Sequence, residues 1–142
     1  MNIFISTLIN KFGGVLVGSA AARHNGIDVV PSDWDITFPN MVAVYMAAAW
    51  LEQQGWEKVI LTVPAQYMRN EHTAWKGRMS PPDGSAGEAL CIDMFSGAIP
   101  ENKDGVAVNK AILTAFMGST HSLWDQRLHL PYSQSLLKAI GE

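Results

Sequence analysis

Three aspartates carry the chemistry this sequence offers. Two lie one residue apart in Ser32-Asp33-Trp34-Asp35-Ile36, and the third sits in the apolar run Cys91-Ile92-Asp93-Met94-Phe95. Alternate side chains of a strand share a face, so Asp33, Asp35 and Thr37 point one way while Trp34, Ile36 and Phe38 point the other. The apolar set takes the core. The two aspartates then stand roughly 6 to 7 Å apart at Cα, where two like charges cost free energy unless a cation lies between them. A hard divalent ion bound by carboxylate oxygens, Mg²⁺ or alternatively Mn²⁺, removes that cost. The competing reading makes Ser32-Asp33 a helix cap and leaves Asp35 exposed; the alternation of Ile36 and Phe38 favours the strand.

Asp93 extends the same logic to a second strand, in which Cys91, Asp93 and Phe95 share one face and Leu90, Ile92 and Met94 the other. A lone carboxylate in an apolar strand needs a partner. Asp93 is therefore either a third ligand or a structural or edge-strand carboxylate. Upstream, a strand that turns through Gly18 into a helix beginning near Ser19 presents backbone N–H groups and a hydroxyl to an anion, with phosphate the natural candidate. A bare Gly-Ser step serves equally as a helix cap, and its place just before an Asp-x-Asp strand is what makes it informative.

The elements that must position these residues are legible in outline. Ile3, Phe4, Leu8, Ile9 and Phe12 have helical spacing, and Gly13-Gly14 breaks the chain before a strand at Val15 to Val17. A short helix over Ala20 to Arg23 ends at Asn25-Gly26, and the Asp33 to Phe38 strand follows Pro31-Ser32. Asn40 is placed to cap a helix from Met41 to Gln54, with Gly55 at its C-terminal end. That helix has no polar face, which predicts burial on most sides or a subunit interface. Trp56 to Val63 and Leu90 to Phe95 read as the remaining strands.

The connection from Pro64 to Ala89 is too long for a simple turn. It reads as a solvated flap whose Arg69, His72, Trp75, Lys76 and Arg78 could reach a phosphate or a base, or as an ordinary loop with one short helix. Val106 to Met117 and Ser133 to Ile140 read as C-terminal helices. The sum is a single α/β or α+β domain over residues 1 to 142, a small mixed β-sheet with helices packed on it. The Ala20 to Ser32 connection suits a crossover between parallel strands, and the long loop an antiparallel pair.

Composition sets the remaining bounds. With 142 residues and 48% apolar content, the chain can bury a core. A formal charge of −3, with ten Lys and Arg spread thinly, gives no basic stripe for nonspecific DNA or membrane binding. The single Cys91 cannot form an internal disulfide and reads as a buried structural thiol. No signal peptide is evident at the N-terminus, and the longest apolar run, Met41 to Leu51, is about half of the ~20 residues a membrane helix needs. A cytoplasmic protein without membrane contact is expected. There is no Walker A or dinucleotide glycine motif, and His24, His72, His121 and His129 lack zinc spacing. Of the tryptophans, Trp34 and Trp50 read as core and Trp75 as the best candidate for stacking on a base.

Gly18-Ser19 followed by the Asp33-Trp34-Asp35 strand resembles the signature of the DNA polymerase beta-like nucleotidyltransferase superfamily. The layout around it is similar to the minimal and antibiotic-modifying members: a helix ending in Leu51-Glu-Gln-Gln-Gly-Trp56, a strand, a loop and a strand bearing Ile92-Asp93. The likeness runs from about Val15 to Phe95. It implies the nucleotidyltransferase fold, with Asp33 and Asp35 holding two Mg²⁺ ions, Asp93 as the third carboxylate that binds the catalytic metal and helps deprotonate the acceptor hydroxyl, and Gly18 and Ser19 holding the terminal phosphates of an NTP. Paired metals stabilise both oxygens of an in-line displacement; pyrophosphate would leave and a nucleoside monophosphate would pass to RNA, protein or a small molecule. The Arg that small members carry soon after Gly-Ser is here displaced by Ala20-Ala21-Ala22 to Arg23, and Lys103 or Lys110 could meet phosphate. The same resemblance admits a catalytically silent protein that binds nucleotide or a partner, for instance as an antitoxin-like module, and a homo-oligomer is compatible with either.

Overall fold

The computed structural model describes residues 2–28, 30–31, 33–60, 76–82 and 90–113. Within them the first helix, α1 (Ile3–Phe12), is bounded by local chemistry at both ends. The Asn2 side chain accepts a hydrogen bond from the Ile5 N–H at 2.9 Å, satisfying one of the orphan donors of the first turn. Gly13 ends the helix in the left-handed conformation, φ 73°, which glycine adopts at no steric cost. The helix buries Ile5 and Leu8 completely. The predicted helix and its stop are borne out.

Val15–Val17 forms β1, buried at all three residues, and leads without a loop into α2 (Gly18–His24). Ala20, Ala21 and Ala22 are buried; their small side chains let this helix approach the sheet closely. Its C-terminal end is tied down by Asn25, whose amide donates to the Ala21 carbonyl at 2.7 Å and to the Ala107 carbonyl at 3.0 Å. Then follow β2 (Trp34–Phe38) and α3 (Met41–Gln53), as the alternation and the Asn40 cap predict. Asn40 accepts from the Ala43 N–H at 2.9 Å, and Gly55, φ 97°, lets the chain reverse so that the Trp56 N–H reaches the Leu51 carbonyl at 3.0 Å.

Among the described residues seven strands make one mixed sheet in the order β3-β4-β5-β2-β1-β7-β6, where β3 is Glu57–Ile60, β4 Lys76–Ser80, β5 Ile92–Ser96, β6 Asn102–Lys103 and β7 Val106–Ala107. The α/β class with a mixed sheet and helices is therefore as expected. Its pairing departs from expectation in two places. β1 and β2 are antiparallel although a helix connects them, whereas β2 and β5, distant in sequence, are parallel. The long connection contains β4, which pairs antiparallel with both β3 and β5 and so separates the two strands expected to be neighbours.

Two more expectations are corrected. Val106 and Ala107, read as the start of a helix, form a strand, because Asp104 (φ 54°) and Gly105 (φ 84°) make a two-residue Asp-Gly hairpin turn with both central residues at positive φ. A 3₁₀ turn at Asn109–Leu113 follows. The expected continuation to Met117 and the helix Ser133 to Ile140 lie outside the described residues, as do Val63, Arg69, His72, Trp75, His121 and His129.

The second correction concerns α3, which is not buried on most sides. Val44, Ala47, Ala48 and Leu51 face the core, while Val42, Tyr45 and Met46 are at least half exposed. The core joins Leu16, Ile36, Phe38, Met79, Ile92 and Met94 from the strands to the buried faces of the helices, each large side chain contributing roughly 1.5 to 3 kcal/mol. Trp50 packs between Phe4 and Phe12, with ring centroids 6.1 Å from each. Trp34 and Trp50 are partly buried against the core. No helix among the described residues is long and apolar enough to cross a membrane.

Because the Asn40 cap is one exposed side-chain bond at the start of α3, its removal tests the helix assignment without touching the sheet. Asn40→Ala should lower stability by about 1 kcal/mol and Asn40→Asp by a few tenths at most, measured by denaturant unfolding. Equal losses for the two variants would contradict the capping role.

Candidate active site

The strand register sets Asp35 beside Asp93, and the Arg78 side chain links Asp93 to Asp33. Val17 of β1 lies opposite Asp35 of β2, Asp35 opposite Asp93 of β5, and Asp93 opposite Arg78 of β4. Directly opposed residues present their side chains on the same face, so this row runs across the middle of the sheet. Asp35 and Asp93 are about 4.8 Å apart at Cα, the interstrand spacing. Asp33, just ahead of β2, extends the row on the same side by strand alternation.

Arg78 closes the cluster. Its Nε donates to Asp93 Oδ1 at 2.7 Å and its Nη2 to Asp93 Oδ2 at 2.9 Å, while Nη2 also reaches Asp33 Oδ2 at 3.1 Å. This is a two-pronged guanidinium–carboxylate pair with a third bond shared to a neighbour, the strong form of charge-assisted hydrogen bonding. Asp93 is 2% exposed, so its charge needs such a partner. The bond to Asp93 raises the Arg78 pKa above its usual value against the opposing effect of burial, with further support from the charges of Asp93 and Asp33. The sign follows directly: a raised pKa stabilises the fold wherever Arg78 is charged, and that contribution would fade only at a pH above the ordinary arginine range. Across the accessible pH range Arg78 is a fixed cation.

Gly18 stands where β1 turns into α2, with φ 72°. A Cβ there would lie 2.6 Å from Asp35 Oδ2, so glycine is required twice, by backbone conformation and by the approach of the carboxylate. The Gly-Ser step and the Asp-x-Asp strand are thus one physical unit. Ser19, in the first turn of α2, is 7% exposed. The Val17 cap supplies no side-chain bond to that turn.

Other residues fall elsewhere. Arg23 pairs with Asp28 at 3.6 Å and lines a cavity with Leu16, Ala20, His24, Pro31 and Trp34. By strand alternation Trp34 faces away from Asp33 and Asp35, which sets Arg23 apart from the carboxylates. Lys103 is exposed on β6 at the far edge of the sheet. Cys91 is partly exposed rather than buried.

The residue that sequence reasoning misplaced is Arg78, read as part of a phosphate-reaching loop. Its signal was indirect, since a buried Asp93 demands a cation from a neighbouring strand. The cluster suits a hard divalent cation in its donor chemistry, oxygen ligands on one face of adjacent strands. Among the described residues, however, no group of three or more acidic, His or Cys side chains stands arranged to hold a metal ion; both oxygens of Asp93 are turned to Arg78. Comparison of the chain with family models, curated proteins and solved structures finds no match.

Gly18 and Gly26 give a controlled test of the Gly18–Asp35 contact, because both have positive φ but a Cβ on Gly26 meets nothing within 4 Å. Gly26→Ala should cost about 1 to 2 kcal/mol from backbone strain alone. Gly18→Ala should cost on the order of 1 to 3 kcal/mol more. Equal losses in denaturant unfolding would contradict the tight approach. In the same assay Asp93→Ala should destabilise by on the order of 2 kcal/mol and Asp33→Ala by under about 1 kcal/mol, as their burial differs.

Proposed function

We propose that the chain is a divalent-metal-dependent nucleotidyltransferase of the DNA polymerase beta-like fold, moving a nucleoside monophosphate from an NTP to a hydroxyl acceptor. The observation that carries this reading is the register Val17–Asp35–Asp93, which sets the Gly18 turn beside Asp35 and places Asp93 on the same face as Asp33 and Asp35. Asp33, Asp35 and Asp93 would hold Mg²⁺ or Mn²⁺. When bound, the metal supplies Lewis-acid stabilisation of charge on the entering and leaving oxygens of an in-line displacement.

The chain's own groups divide the remaining work. Gly18 and Ser19 offer the N–H groups of the first turn of α2 to the nucleotide phosphates, where partial positive charge favours an anion. Gly18 adds close approach, because no side chain stands between its backbone and the Asp35 carboxylate. Asp93 takes the proton of the acceptor hydroxyl as the acceptor oxygen bonds to the α-phosphorus and the bond to pyrophosphate breaks. The acceptor is RNA, a protein or a small molecule.

A second reading, a catalytically silent protein that binds nucleotide or a partner, is favoured by one observation: Arg78 engages both oxygens of Asp93, the carboxylate that would otherwise accept the proton. Incubation with each α-labelled NTP, Mg²⁺ and RNA, protein or small-molecule acceptors separates the two. The first reading predicts labelled acceptor and pyrophosphate, with Asp35→Asn lowering the rate by at least ~100-fold. Metal-dependent nucleotide binding in calorimetry without transfer supports the second, and the absence of any metal-dependent nucleotide binding refutes the first and the nucleotide-binding form of the second.

A further inference from the structure

The Arg78 guanidinium occupies the space between two of the three carboxylates. β4 delivers it there by register, Arg78 standing directly opposite Asp93, so the contact is set by the sheet rather than by a loop. It takes both Asp93 oxygens and one of Asp33, and one positive charge thereby offsets part of two negative ones. The two ends of the contact differ in freedom: the Asp93 side chain is 3% exposed, the Arg78 side chain 35%. Asp93 cannot reach solvent for its countercharge, whereas the long Arg78 side chain keeps about a third of its surface in solvent, as amphipathic side chains commonly do.

Guanidinium and a divalent ion compete for the same lone pairs. We propose that Arg78 is a built-in countercation that holds the carboxylate cluster in its metal-free state and must leave Asp93 and Asp33 before the three carboxylates can share a divalent ion. The inference rests on reading the cluster as metal-binding, and adds a regulation of that site: the chain stores its acidic centre in a partly neutralised, hydrogen-bonded form, and metal entry exchanges one cation for another. A permanently charged arginine suits this role, since no pH change in the ordinary range releases it. Metal affinity without nucleotide is accordingly low, and a nucleotide that brings its own metal and offers phosphate oxygens to the displaced guanidinium favours the exchange.

The test is Mn²⁺ binding in the absence of nucleotide, followed by the electron paramagnetic resonance signal of the free ion. Arg78→Met, which keeps the apolar stem and removes the charge, should bind Mn²⁺ at least ~10-fold more tightly than wild type, as expected for removing an adjacent like charge from a cation site. Arg78→Lys should fall between them, because the charge remains and the fork is lost. Equal or weaker binding by Arg78→Met, with wild type binding Mn²⁺, would overturn the competition and leave the metal reading intact. Binding by none of the three would overturn both. Should Arg78→Met fail to fold, the Arg78 Nε–H resonance of wild type under Mg²⁺ titration decides: loss of its hydrogen-bonded shift and exchange protection supports the exchange, and full retention at saturating Mg²⁺ overturns it.

Discussion

Parallel pairing of β2 with β5 puts Asp35 beside Asp93 near the centre of the sheet, and the rest of the acidic end is arranged around that like-charge pairing. Two carboxylates at the interstrand spacing repel, and one of them is cut off from water. The fold meets the cost by inserting β4 next to β5, so that a guanidinium lies across from Asp93. A cation is thus a structural requirement of this sheet, whatever its chemical role. The proposed function takes that requirement one step further, from an internal cation to an exchangeable one.

The Gly18 turn is the second constraint. A strand that passes into a helix with no intervening loop leaves only one residue to make the change of direction, and here that residue also lies against Asp35. Backbone N–H groups, a helix start and a carboxylate are thereby held in contact by a single glycine. The buried alanines of α2 serve the same end, because bulkier side chains would lift the helix off the sheet and the turn away from the strand.

What the sequence made legible follows the strength of local signals. The alternation from Trp34 to Phe38 and the caps Asn40 and Gly55 each act over a few residues, and the elements they mark formed as read. The juxtaposition of Gly18 with Asp35 was reachable only as a pattern, since the close approach of the carboxylate to the glycine depends on antiparallel pairing that the Ala20 to Ser32 connection did not announce. Lys76–Ser80 gave no strand signal at all: Lys-Gly-Arg-Met-Ser has no apolar alternation, and glycine inside a strand disfavours it. Its place is fixed by long-range pairing on both sides. Val106 misled for the opposite reason, an apolar spacing overruled by the Asp104-Gly105 turn. The exposed side of α3 was misjudged because hydrophobicity alone does not say how many faces of a helix find a neighbour.

The central claim, that this acidic cluster is a cation site at the head of a nucleotide pocket, is tested most directly by anomalous scattering from a crystal grown with Mn²⁺ and a non-hydrolysable NTP analogue. The account predicts a manganese peak within coordination distance of Asp33 and Asp35, with the analogue's phosphates against the Gly18 turn and the Arg78 head moved off Asp93. A crystal holding the analogue elsewhere, with no manganese at these carboxylates and the Arg78–Asp93 pair intact, would contradict it.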